Sequence, residues 1–171
     1  MKNKILFYCM MFLLQVLVFN KTFFFNNLIL TPIIIIFLLW NHKKNSLFLL
    51  NIAFIVGLFI DFFNNSHGIF SLGLTLFVFI RNYWIEFYFV KDKISANVFF
   101  TSYEIGIKSF FYYSIPLIVI FQSFIYLIEI DSITNLPSYL IKIIFSSFFT
   151  FALILLLQLL FFKSNKKYEW R

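Results

Sequence analysis

The sequence predicts an all-α integral membrane protein of about six transmembrane helices with both termini cytoplasmic. Three observations predict it. Of 171 residues, 62% are hydrophobic and only 12% are charged, whereas a soluble domain carries roughly 25% charged and about 45–50% apolar residues. The apolar residues come in runs of helical length that do not alternate as barrel strands would. The lysines and arginines concentrate in every second break between those runs.

One helical crossing of a ~30 Å hydrocarbon core consumes about 20 residues, so the length accommodates about six crossings and no soluble domain. The net charge of +7 would suggest nucleic acid in a soluble chain. Here the basic residues lie between apolar runs, so a nucleic-acid partner is not expected. One cysteine, Cys9, excludes an intramolecular disulfide. The 29 phenylalanines carry no functional signal; they fit an A/T-rich coding bias.

The first run, 5–19, follows Lys2 and Lys4 like the start of a signal peptide, but no small-x-small cleavage pattern follows, so it is expected to remain as the first helix. The second is expected over 23–40, with Pro32 near its start, where a missing backbone donor costs least. The third, 47–63, ends in the turn formers Asn64-Asn65-Ser66-His67-Gly68, which predict a tight hairpin into the fourth, 69–90. The fifth is expected over 104–128 with a kink at Pro116, and the sixth over 138–162, before a basic tail at 163–171. No repeat or linker divides the chain, so one transmembrane domain is expected over 1–171.

Under this partition one side collects Lys2, Lys4, Lys43, Lys44, Arg81, Lys91, Lys93, Lys108, Lys163, Lys166, Lys167 and Arg171, which is 12 of the 14 basic residues. Lys21 and Lys142 remain for the other. Cytoplasmic loops carry the excess, so an even number of crossings with both ends inside follows.

Polar residues within the runs are the functional candidates, since an ionised side chain at mid-bilayer costs at least ~2.5–3.5 kcal/mol. Asp61 would lie about 21 Å along its helix and roughly 9 Å below the outer boundary. Lys142 is its candidate ion-pair partner; the alternative is that Asp61 caps the hairpin. Arg81 is expected to snorkel toward the inner boundary. Gln15, Gln122 and Gln158 are expected to hydrogen-bond between helices, and Glu104 with Lys108 to form a local i,i+4 ion pair. No phosphate-binding glycine loop, HExxH or GxSxG motif occurs, and His42 and His67 fall on opposite sides of the membrane. No enzymatic activity, metal or cofactor is expected.

The segment Gly57-Leu-Phe-Ile-Asp61-Phe-Phe-Asn-Asn-Ser-His-Gly68 resembles the central motif of the bacterial rod shape-determining protein MreD family, a G-x-x-x-D helix end, a Ser/Asn/Gly-rich turn and a glycine opening the next helix. Leu13 to Asn20, with Gln15 and Asn20, resembles that family's first helix, and Leu30-Thr31-Pro32 its proline-started second one. The turn departs from the family's usual Ser-Gly-Ser form, and His67 replaces an apolar residue. The resemblance spans essentially the whole chain. It implies a non-catalytic component of the cell-elongation complex in the bacterial cytoplasmic (inner) membrane, coupling cytoskeletal filaments to peptidoglycan synthesis. The implied partners are an MreC-like protein, an MreB-like filament, and a RodA-type glycosyltransferase with its transpeptidase; membrane lipid would surround the chain. It also implies the fold of the substrate-binding subunits of energy-coupling-factor transporters, so the alternative function is binding a vitamin, with Gln15, Asn20, Asp61 and Gln122 as contacts.

Overall fold

In lipid a spanning segment has no water to satisfy its backbone, so the apolar runs close their hydrogen bonds internally as helices. The computed structural model describes residues 2–19, 28–40, 46–89, 100–128 and 136–161. Their elements are α1 (Lys2–Leu14), continued by a π-helical turn (Gln15–Phe19), α2 (Ile34–Leu38), α3 (Ser46–Asn64), α4 (Ile69–Phe89), α5 (Ser102–Ile105), α6 (Ile107–Ile128) and α7 (Leu136–Phe161). Four helices, α3, α4, α6 and α7, are long and apolar enough to cross a membrane, and a shorter apolar helical stretch covers Phe7–Phe19.

The long helices pack in sequence, α3 on α4, α4 on α6 and α6 on α7. The first helix closes the ring. Its π-helical turn packs on α3, Phe12 meets Phe59 of α3 edge-on at 6.3 Å, and Phe7 meets Phe161 of α7 at 5.4 Å. Inside this ring sits α2. Every residue from Leu30 to Leu39 is buried, which is what an all-round apolar helix requires of its surroundings.

This is the main departure from the helix expected over 23–40. Within the described part of that range, Leu28–Ile33 is non-helical and only Ile34–Leu38 is α-helix; residues 23–27 lie outside the described residues, as do Asn20 and the tail 163–171. At 1.5 Å per residue, α2 is about 7.5 Å long and by itself crosses nothing. The fifth expected helix also differs. Gly106, at φ +85, breaks it into α5 and α6, so Glu104 and Lys108 fall on separate helices, and no ion pair joins them among the described residues. Thr101 caps α5 by accepting the Glu104 N–H at 3.3 Å. α6 runs on through Pro116.

The α3–α4 hairpin turns within four residues, using left-handed backbone at Asn65 (φ 54), His67 (φ 51) and Gly68 (φ 92). Asparagine and histidine are among the side chains that tolerate this region, and glycine has no Cβ to clash there. Gly57 lets the helices touch. A Cβ on it would lie 2.3 Å from Ser71 Cα and 2.8 Å from the Phe70 carbonyl oxygen, backbone that cannot rotate away. Gly57→Ala should therefore push α3 off α4 and cost about 1–3 kcal/mol, read as a lowered unfolding midpoint in detergent, whereas Gly106→Ala meets no neighbouring atom and is strained only by its backbone angle.

Candidate functional site

Three polar centres lie inside the bundle, and each serves backbone. At the hairpin, Asp61 is buried at 6% exposure. Its Oδ1 accepts the Phe70 N–H at 2.9 Å and the Ser66 hydroxyl at 2.5 Å, and its Oδ2 accepts the Ser71 N–H at 2.8 Å. Phe70 and Ser71 belong to the first turn of α4, whose N–H groups have no partner within their own helix. A carboxylate from the preceding helix thus caps α4, where the helix dipole favours negative charge.

Of the two readings of Asp61, capping of the hairpin is the one the structure shows, and the candidate Asp61–Lys142 pair is not formed. The carboxylate is occupied by the turn, and Lys142 Nζ sits 5.1 Å above the Tyr139 ring one turn back on its own helix. The physical reason is proximity: the hairpin returns α4's free N–H groups to Asp61, while α3 and α7 are not neighbours along the ring. Pro32 lies in the turn before α2, its carbonyl accepting the Ile35 N–H at 3.0 Å. Gly68 occupies the left-handed position ahead of α4, its carbonyl accepting the Ser71 hydroxyl at 2.9 Å.

The second centre surrounds the non-helical segment. The two N–H groups of Gln122 Nε2 are shared among three acceptors, the carbonyl of Ile29 at 3.2 Å and the hydroxyls of Thr31 at 3.0 Å and Thr150 at 3.2 Å. The Tyr126 hydroxyl accepts the Ile29 N–H at 2.8 Å, and the Ser146 hydroxyl donates to the Ile29 carbonyl. Gln15, where α1 passes into π-helix, makes long contacts of 3.4 Å through both ends of its amide, donating to the Leu30 carbonyl and accepting from Ile33 N–H. Two of the three amides expected to join helix to helix do so: Gln122 links α6 to α7 through Thr150, and Gln158 of α7 accepts the N–H of Ser102, which opens α5, at 3.0 Å. Gln15 and Gln122 also bond the buried non-helical backbone of residues 29–33.

The third centre departs from the sequence expectation. Arg81 is fully buried, 0% exposed, and does not snorkel. Its Nε donates to the Tyr113 hydroxyl at 2.9 Å, its Nη1 to Asn82 Oδ1 at 3.4 Å, and its Nη2 to the carbonyls of Leu38 and Trp40. The Tyr113 hydroxyl donates in turn to the Leu38 carbonyl at 3.1 Å, and the Phe100 ring faces the guanidinium at 5.8 Å. Each of these hydrogen-bond partners is neutral, and the carbonyls are those at the C-terminal end of α2, where a cation is favoured.

Sequence reasoning misses Tyr113, Tyr126, Thr31, Ser146 and Thr150 as site residues. A signal exists for three of them: Gln122 with Tyr126 and Ser146 with Thr150 are i,i+4 pairs, each placing two polar tips on one face of an apolar helix. Chemically the three centres bind backbone. No group of three or more His, Cys, Asp or Glu side chains is placed to hold a metal among the described residues.

Comparison of the chain with protein-family models, with curated proteins and with solved structures finds no match.

Two stability measurements check this assignment. Asp61→Ala should cost about 1–2 kcal/mol, the loss of a helix cap, and its effect should add to that of Lys142→Met without coupling; a coupling energy above about 0.5 kcal/mol would restore the ion pair. Tyr113→Phe should cost about 1–2 kcal/mol by leaving the Arg81 Nε–H without its acceptor and taking one donor from the Leu38 carbonyl, seen as a lower unfolding midpoint.

Proposed function

We propose that this chain is a non-catalytic membrane component of the bacterial cell-elongation complex, lying in the cytoplasmic membrane and coupling cytoskeletal filaments to peptidoglycan synthases. Its partners on this reading are an MreC-like protein, an MreB-like filament, and a RodA-type glycosyltransferase with its transpeptidase. The observation that carries it is the α3–α4 hairpin. Gly57, Asp61 and Gly68, on which the likeness to the MreD family rests, each hold a place there that few other residues fill: a contact with no room for Cβ, an anionic cap and a left-handed turn.

Six crossings with both termini cytoplasmic are part of the proposal. The stretch Leu28–Thr31, drawn out, reaches at most about 14 Å, and the turn and helix to Leu39 add about 12 Å, so a broken second segment has nearly the reach of a ~30 Å core. The basic residues then fall on one side, toward cytoplasmic partners and anionic lipid. The vitamin-binding alternative needs polar side chains free to meet a ligand. Gln15, Asp61 and the Gln122 Nε2 are engaged with the chain's own backbone, whereas Gln122 Oε1 is buried without a hydrogen-bond partner and Asn20 lies outside the described residues; the engaged groups favour the first reading.

Complementation tests it. In a rod-shaped bacterium depleted of its own MreD-type protein, the chain should restore rods, while Gly57→Val and Asp61→Ala, at equal membrane abundance, should leave cells round. Mild-detergent extraction should recover an MreC-like protein; recovery with transport ATPases instead would overturn the proposal.

A further inference from the structure

α3 differs from the other long helices in what it leaves uncovered. Only 28% of its span is buried inside the bundle, against 39–44% for α4, α6 and α7. The open face carries a seam at alternating three- and four-residue spacing: Phe48 (56% exposed), Asn51, Ile55 (51%), Leu58 (45%) and Phe62 (79%). That 3.5-residue period keeps one stripe aligned along a neighbouring helix in a left-handed crossing.

Lipid satisfies the four apolar members of the seam, but not Asn51. Its side chain is exposed, on a face turned away from the bundle, and has no hydrogen-bond partner among the described residues. It lies about 6 Å inside the span that begins at Leu47, and its side chain is too short to snorkel as lysine and arginine do. An unpaired amide donor and acceptor in hydrocarbon is costly, and the polar groups that transmembrane helices place outward are those that bond across to another helix.

We propose that a second copy of this chain docks on this seam, with the two α3 helices parallel and the two Asn51 amides bonded to each other across a two-fold axis normal to the membrane. The second copy follows from the chemistry of the group. An amide carries both donor and acceptor, so it is complementary to itself. Two copies inserted with the same orientation and related by such an axis bring identical residues together, which is the isologous geometry of cyclic dimers. Phe59, adjacent to the seam, already packs on Phe12 of α1, so the proposed contact is bounded on that side by the molecule's own first helix.

The test uses the full chain in native membranes with Cys9→Ser, which removes the sole cysteine. Single cysteines at Asn51, Ile55 and Leu58 should form a disulfide-linked dimer on mild oxidation, while the exposed control positions on α7, Ile144→Cys and Phe148→Cys, should not. In purified protein, Asn51→Leu should weaken dimerisation about tenfold while leaving the unfolding midpoint of the monomer unchanged, and Asn51→Gln should keep the dimer. A monomer at all positions, equal crosslinking on α3 and α7, an Asn51→Leu dimer as tight as the original, or a seam cysteine that links only to a different protein would each overturn the proposal.

Discussion

The structure depends on one constraint, that backbone polar groups inside a membrane protein must find partners within the protein. Most of the chain meets it by being helical. The segment Leu28–Ile33 does not: the carbonyls of Thr31, Pro32 and Ile33 accept N–H groups of α2, but the N–H groups of Ile29, Thr31 and Ile33 and the carbonyls of Ile29 and Leu30 rely on side chains of other helices. Gln15 from the π-helical turn after α1, Gln122 and Tyr126 from α6, and Ser146 and Thr150 from α7 supply what the segment lacks. Non-helical backbone buried among apolar helices is tolerated only where protein groups satisfy it, so the surrounding ring of helices and the broken segment require each other.

The two buried charges among the described residues obey the same logic. Asp61 and Arg81 would each be expected to seek an opposite charge, because burying an ion unpaired costs several kcal/mol. Each instead meets a helix terminus of the right sign. The carboxylate accepts the free N–H groups that open α4, and the guanidinium donates to the carbonyls that close α2. Helix ends hold partial charges on unsatisfied groups, so one side chain removes two deficits at once. These contacts also set geometry: Asp61 fixes the angle of the hairpin, and Arg81 with Tyr113 clamps α2 between α4 and α6.

How much of this is legible varies with the residue. Asp61 stands out because hydropathy offers no account of a carboxylate inside an apolar run, and capping of the hairpin is one of its two readings. That its partners are N–H groups nine and ten residues ahead depends on a run of left-handed and turn positions, whose path no spacing rule specifies. Pro32 is visible, but a continuous apolar stretch reads alike whether it is a helix or buried coil, since periodicity vanishes when every side is buried. Hence the second helix is expected over a range of which Leu28–Ile33 is not helical. Gly106 gives no warning either, because a lone glycine is tolerated within helices and only its φ of +85 reveals the break.

By itself the sequence determined that the chain is helical, that the runs forming α3, α4, α6 and α7 are long and apolar enough to cross a membrane, and that the segment from Gly57 to Gly68 makes a hairpin. Those properties follow from local apolar content and turn chemistry, which act within a few residues. Only the tertiary structure decided that α1 closes a ring with α3 and α7, that α2 is a short helix at its centre, and that Arg81 is buried rather than at an interface. Those outcomes depend on which backbone groups are left over when helices end, and a leftover group is met by whichever side chain the fold brings near, however distant in sequence.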